Sequence, residues 1–114
     1  AGWQRGDVTL MNPALFLEMS AQATRDPAIA QALAAADENS RRHFLAWMRA
    51  HAQAQGAQVA DNELRARALA LQGFIEGLAI RAVREPGMDA ARVGAAVRRV
   101  VPALLRFDAD AGAL

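Results

Sequence analysis

Apolar and polar residues alternate along the chain with the spacing of amphipathic helices, and clear stop and start signals divide them into four stretches. Asn12-Pro13 offers an N-cap followed by Pro at the first helical position, which predicts a helix to about Thr24. Asp26-Pro27 repeats the device and opens a second helix reaching about Gln55, just before Gly56. Asp61 or Asn62 caps a third, which stops before Glu85-Pro86-Gly87, and Asp89 caps a fourth running to about Phe107. No segment shows the period of a strand, and no repeat of solenoid length occurs. The pattern predicts an all-α antiparallel bundle of about four helices, one domain over residues 1–114, with 1–11 a leader and 108–114 a frayed tail.

Plotted at about 100° per residue, each helix separates its faces. Leu15, Phe16, Met19 and Ala23 line one side of the first. In the second, Ile29, Leu33, Ala36, Ser40, Phe44, Trp47, Met48 and His51 form one stripe. Gln31, Glu38, Arg42, Arg49 and Gln53 fall opposite. The third helix has a core stripe of Leu64, Ala68, Leu71, Ile75, Leu78 and Ala82. A separate small, apolar face carries Ala66, Ala70, Gly73, Phe74 and Gly77, flanked by Arg67, Arg81 and Arg84. In the fourth, Val93, Val97, Val100, Val101, Leu104, Leu105 and Phe107 spread over an arc wider than one core requires.

Two apolar faces on each of the last two helices call for neighbours on two sides. Glycine inside a helix is unfavourable by about 1 kcal/mol relative to Ala. Close approach of another helix over Gly73 and Gly77 can repay that through dispersion. This surface reads as a homodimer seam (Ala70, Gly73, Phe74, Glu76, Gly77, Arg81, Val97, Val101, Leu104 and Leu105), the alternative being close packing inside the subunit against the second helix. Glu76 lies with Gln72 between the two faces. It can pair with an Arg across the seam, meet a ligand or pocket water, or reach solvent, and the adjoining glycines and arginines favour the seam. Pro102, inside the fourth helix, removes the amide that would bond the Arg98 carbonyl and is expected to bend the helix.

Composition narrows the function classes. The 114 residues are 54% hydrophobic and 22% charged, which is globular and argues against disorder. There is no Cys, so disulfide scaffolds and thiolate metal sites are excluded. No apolar run approaches the roughly 18 residues of a membrane helix, and the first ten residues lack a signal-peptide core. A soluble, cytoplasmic protein is expected. All 13 basic residues are Arg, but the net charge of +1 gives no case for nucleic-acid binding, and the pairs Arg41-Arg42 and Arg98-Arg99 read as solvated faces.

Catalytic and metal signatures are missing. Glu-x-x-His does not occur, and His43 and His51 stand eight residues apart with no Cys to complete a zinc site. Neither a nucleophile elbow nor a phosphate-cradling loop is present, so no enzyme, metal or cofactor is expected. Taken singly, Ser40 bonding a backbone carbonyl and His51 sitting near an exposed helix end are ordinary. Together, Phe16, Met19, Phe44, Trp47 and Met48 with Ser40, His51 and Gln72 have the composition of a ligand cavity between helices, though the Met residues serve equally as core filler.

The runs "FLEMSAQATRDPAIAQALAAADENSRRHFLAWM" and "ELRARALALQGFIEGLAIRAVREPGMDAARVGAAVRRVVPALL" resemble the C-terminal ligand-binding and dimerisation domain of TetR-type transcriptional regulators. The likeness covers roughly residues 12–106. It rests on the Asp-Pro start after a short amphipathic helix, a long polar-backed helix, and Glu76-Gly77-Leu78-Ala79 followed by Arg81. A short Pro turn and a closing amphipathic helix complete it. The resemblance implies a homodimeric repressor whose last two helices form a four-helix bundle with those of the partner. It also implies a small, hydrophobic effector held inside each subunit between the other helices. The family's N-terminal helix-turn-helix has no counterpart before Asn12, so the chain is expected to be a fragment that meets operator DNA only through that missing part. A stand-alone helical homodimer or small-molecule carrier with no DNA role is the alternative.

Overall fold

Three of the helix starts close on a side-chain cap. In a computed structural model, which describes residues 12–107, the helices are α1 (Pro13–Ala23), α2 (Pro27–Ala54), α3 (Asp61–Arg84) and α4 (Ala90–Leu104), with no strand among the described residues. The expected leader and frayed tail lie outside the described residues. Asn12 Oδ1 accepts from the Leu15 amide at 3.1 Å, Asp26 Oδ1 from Ala28 at 3.0 Å, and Asp89 Oδ1 from Ala91 at 2.9 Å. Each satisfies an amide that the first helical turn leaves without a partner. At the end of α2, Gly56 turns left-handed at φ 68°. The Ala57 amide then reaches the Ala52 carbonyl and the Gly56 amide that of Gln53, both at 3.0 Å, a Schellman closure.

Two boundaries differ from the sequence expectation. Neither Asp61 nor Asn62 caps α3; the N-cap is Ala60, and Asp61 is already helical. The Asp61 carboxylate is drawn away by Arg65 at 2.6 Å and Arg49 at 2.5 Å, which also hold it below the usual carboxylate range. A charged pair of donors wins over a single backbone amide. The fourth helix ends at Leu104, not near Phe107. Pro102 occupies its last turn, and the chain then folds back to bury Phe107, which is 2% exposed.

α1, α2 and α3 pack against one another, and α4 joins them through α3. The dry centre comprises Leu45, Met48 and Ala52 of α2, Leu64, Ala68 and Leu71 of α3, and Phe107. Met48 and Phe107 are the largest fully buried side chains; burying residues of this size stabilises by about 1.5–3 kcal/mol each. The second-helix stripe read from sequence runs true through Phe44 and again at Met48, but diverges at the positions around it. Trp47 is 41% exposed, while Leu45 and Ala52 are buried. The cause is a change of neighbour: the first half of α2 faces the cavity beside Phe16 of α1, and the second half faces Leu64 and Phe107.

Arg67, read from sequence as a flank of the glycine face, is instead buried at 6% exposure. Its Nε donates to Glu63 Oε2 at 2.7 Å, and its Nη1 donates to the carbonyls of Leu104 at 3.1 Å and Arg106 at 2.7 Å. The guanidinium lies 4.7 Å from the centroid of the Phe107 ring. Beside it, Gln55 donates to the Leu105 carbonyl at 2.8 Å and accepts from the Phe107 amide at 3.1 Å. The end of α4 is thereby fastened to the end of α2 and the start of α3.

Candidate functional site: a cavity and an open helix face

Where α1, α2 and α3 meet, the side chains stop short of filling the space and leave a partly open cavity of about 100 Å³. Phe16 of α1 contributes one wall. Leu33, Ala36, Asp37, Ser40 and Phe44 of α2 form the second, and Gln72, Ile75, Glu76 and Ala79 of α3 form the third. The α2 set follows i, i+3, i+4, i+7 spacing, as one helix face must.

The polar groups here have distinct fates. Gln72, 6% exposed, uses both ends of its amide within the subunit: Oε1 accepts from Arg41 Nε at 2.9 Å, and Nε2 donates to the Asp37 carbonyl at 3.0 Å. It staples α3 to α2. The carboxylates of Asp37 and Glu76 have no hydrogen bond or ion pair among the described residues. Burial pushes the Glu76 carboxyl above the usual carboxylate range, the like charge of Asp37 pushes it further, and Arg41 opposes both.

Of the residues expected to bind ligand, the structure brings Phe16, Ser40, Phe44 and Gln72 to one cavity. Met48 lies in the dry core, fully buried. Met19 is half-buried on α1, outside the cavity wall. Trp47 and His51 stack edge-on with centroids 4.9 Å apart, away from the cavity. Glu76, expected at the seam, lines the cavity beside Asp37. Leu33 and Ala36 were on the stripe that carries Ser40 and Phe44, so the pattern contained them. Asp37 was hidden because a charge next to a stripe normally points to water.

The opposite side of α3 is bare. Ala70, Gly73, Gly77 and Arg81 are exposed, and Arg81 pairs with Glu85 at 3.1 Å. A methyl group added at Gly73 or Gly77 would meet nothing within 4 Å, so close packing inside the subunit does not explain these glycines. Phe74, Val97, Val101, Leu104 and Leu105 are half-buried, the last three against the edge of the core. Although α4 is strongly amphipathic, it has no buried residue.

Among the described residues no group of three or more His, Asp or Glu converges as a metal site, and no helix is long and apolar enough to cross a membrane. Residues 12–106 match the family described as BetI-type transcriptional repressor, C-terminal. No curated protein and no solved structure matches the chain.

Proposed function

The chain belongs to the BetI-type transcriptional repressor C-terminal domains, a regulatory domain of TetR-like repressors, and from that premise we propose that it dimerises through α3 and α4 and holds a small effector in the α1–α2–α3 cavity. The observation that carries the dimer is the bare apolar face: α4 buries none of its residues within the subunit, and Gly73 and Gly77 have open space above them. The radius of gyration, 16.0 Å, supports it, since a closed domain of 100 residues measures about 13 Å. A second copy laid on this face would complete a four-helix bundle.

In the intact regulator, operator DNA is contacted by a helix-turn-helix part outside residues 12–106, and the present domain acts on it through the effector and the dimer. Effector in the cavity favours one setting of α3, and operator DNA another, so each ligand weakens the other by the same factor. Catalysis has no place in this scheme.

Sedimentation velocity tests the dimer. The unaltered chain is expected to sediment as a dimer at micromolar concentration, and a clean monomer overturns the proposal. Gly73→Leu with Gly77→Leu sharpens the test, because these changes favour the helix of an isolated subunit by up to about 1 kcal/mol each while holding a partner off. Helicity should be retained as the dimer is lost. Native mass spectrometry of protein purified from its source would reveal a co-purified effector by its mass.

A further inference from the structure

Trp47 is exposed on a face of α2 that is otherwise covered. Leu33, Ala36, Ser40, Phe44, Trp47 and His51 follow one another at steps of three and four, so they share one side of the helix. The others are half-buried, but Trp47 is 41% exposed. The cause is the length of α1, which folds back along α2 through the turn at 24–26 and sets Phe16 beside Ser40 and Phe44. Its 11 residues span about 16 Å, against about 42 Å for the 28 residues of α2. α1 therefore ends before it reaches Trp47. The indole meets His51 edge-on, with centroids 4.9 Å apart, and keeps a large apolar area open to water.

We propose that the segment preceding α1 seats on this face, with Met11 packed on Phe16 and Leu10 on the Trp47 ring. At Asn12 the backbone is extended, φ -145° and ψ 100°, while the side chain caps α1. Because α1 runs antiparallel to α2, its start points toward the second half of α2, and the chain before Asn12 arrives there. The residue before an N-cap often packs against the fourth helical residue in a hydrophobic staple, which fixes the angle at which the chain enters. Those positions are Met11 and Phe16. One residue further, Leu10 spans the single turn of α2, about 5 Å, that separates Phe44 from Trp47. Other occupants fit less well. The tail after Phe107, "DADAGAL", carries two carboxylates and one large apolar residue. A second copy has its own face at Gly73 and Gly77, on the side of α3 opposite the cavity. Phe16 and Phe44 also wall the cavity, so the seat adjoins it, yet the proposal stands whether or not an effector binds there.

The test uses the full chain with Trp3→Phe, which leaves Trp47 the only tryptophan. Its NMR spectra are expected to show nuclear Overhauser contacts from the Leu10 and Met11 methyl groups to the Trp47 ring. Their absence overturns the proposal. Leu10→Asp with Met11→Asp should shift the Trp47 fluorescence to the red and raise its quenching by acrylamide, with helicity retained. Unchanged emission and quenching in a folded variant overturn the proposal as well. Should that variant lose helicity, Leu10→Ser alone repeats the measurement with Met11 in place. Protection of Trp47 that varies with protomer concentration assigns the face to a second copy, and ring contacts from Leu114 assign it to the tail. Either result displaces the segment before α1.

Discussion

Arg67→Ala removes the centre of the clamp that fastens the end of α4. The Arg67 side chain is 8% exposed and its partner Glu63 is 33% exposed, so the lone carboxylate left behind can be partly rehydrated. Its loss therefore costs less than the 3–5 kcal/mol typical of breaking a wholly buried pair, and about 1 kcal/mol is a fair share. The bonds to the Leu104 and Arg106 carbonyls contribute about 1 kcal/mol each, since both lie near solvent and can recover water. The face of Phe107 loses a cation 4.7 Å away, worth about 0.5–1 kcal/mol. Together the substitution should destabilise by about 3.5–4 kcal/mol. Urea unfolding followed by circular dichroism measures this at one fixed protomer concentration, because dimerisation would couple stability to concentration. Arg65→Ala, which breaks the exposed pair with Asp61, is the control and should leave the midpoint in place. A loss under about 1 kcal/mol for Arg67→Ala, the range of surface pairs, would refute the clamp.

Met48→Ala empties a fully buried site and should cost about 2–5 kcal/mol in the same assay. Gly56→Ala forces a side chain into the left-handed turn at φ 68° and should cost about 1 kcal/mol, with helix content preserved. Glu76 bears on pH dependence. Its carboxyl is raised above the ordinary 4.5 by burial and by Asp37, so the folded chain holds that proton more tightly than the unfolded one. The stability it contributes is fully present below the unfolded value and is lost as pH rises through the folded value. Glu76→Gln should therefore be more stable than the parent at neutral pH, and the two midpoints should converge below pH 4.5. A constant offset across this range would sink the argument.

The helix starts at Pro13, Pro27 and Ala90 were legible because cap and Pro signals act within one turn, and local chemistry decides them. The α3 start was not, because Asp61 is claimed by two arginines, Arg65 one turn on and Arg49 twelve residues away on another helix. Phe107 read as the end of an amphipathic helix, yet Pro102 and Gln55 turn it inward. Arg67 looked like a surface charge until the α4 carbonyls were in place to receive it. A single angular plot of α2 misplaced Trp47 because it assumes one neighbour for 28 residues, and α2 has different ones along its length. In the candidate cavity the apolar wall followed from periodicity. The carboxylates did not, since which side of a stripe boundary a charge takes is settled by the packing of α3.

The two uses of α3 alternate along its sequence almost residue by residue: Gln72, Ile75, Glu76 and Ala79 border the cavity, while Gly73 and Gly77 border open space. Inserting or deleting one residue within 72–79 would rotate everything beyond it by about 100° and exchange cavity wall for outer surface. Only a change of about seven residues, two full turns, restores the alignment. Point substitutions can retune either side separately, but length changes here scramble both. The cavity wall in this segment can thus change by exchange of side chains and not by gain or loss of residues, whereas the exposed turn at 85–87 is where length is freer to vary.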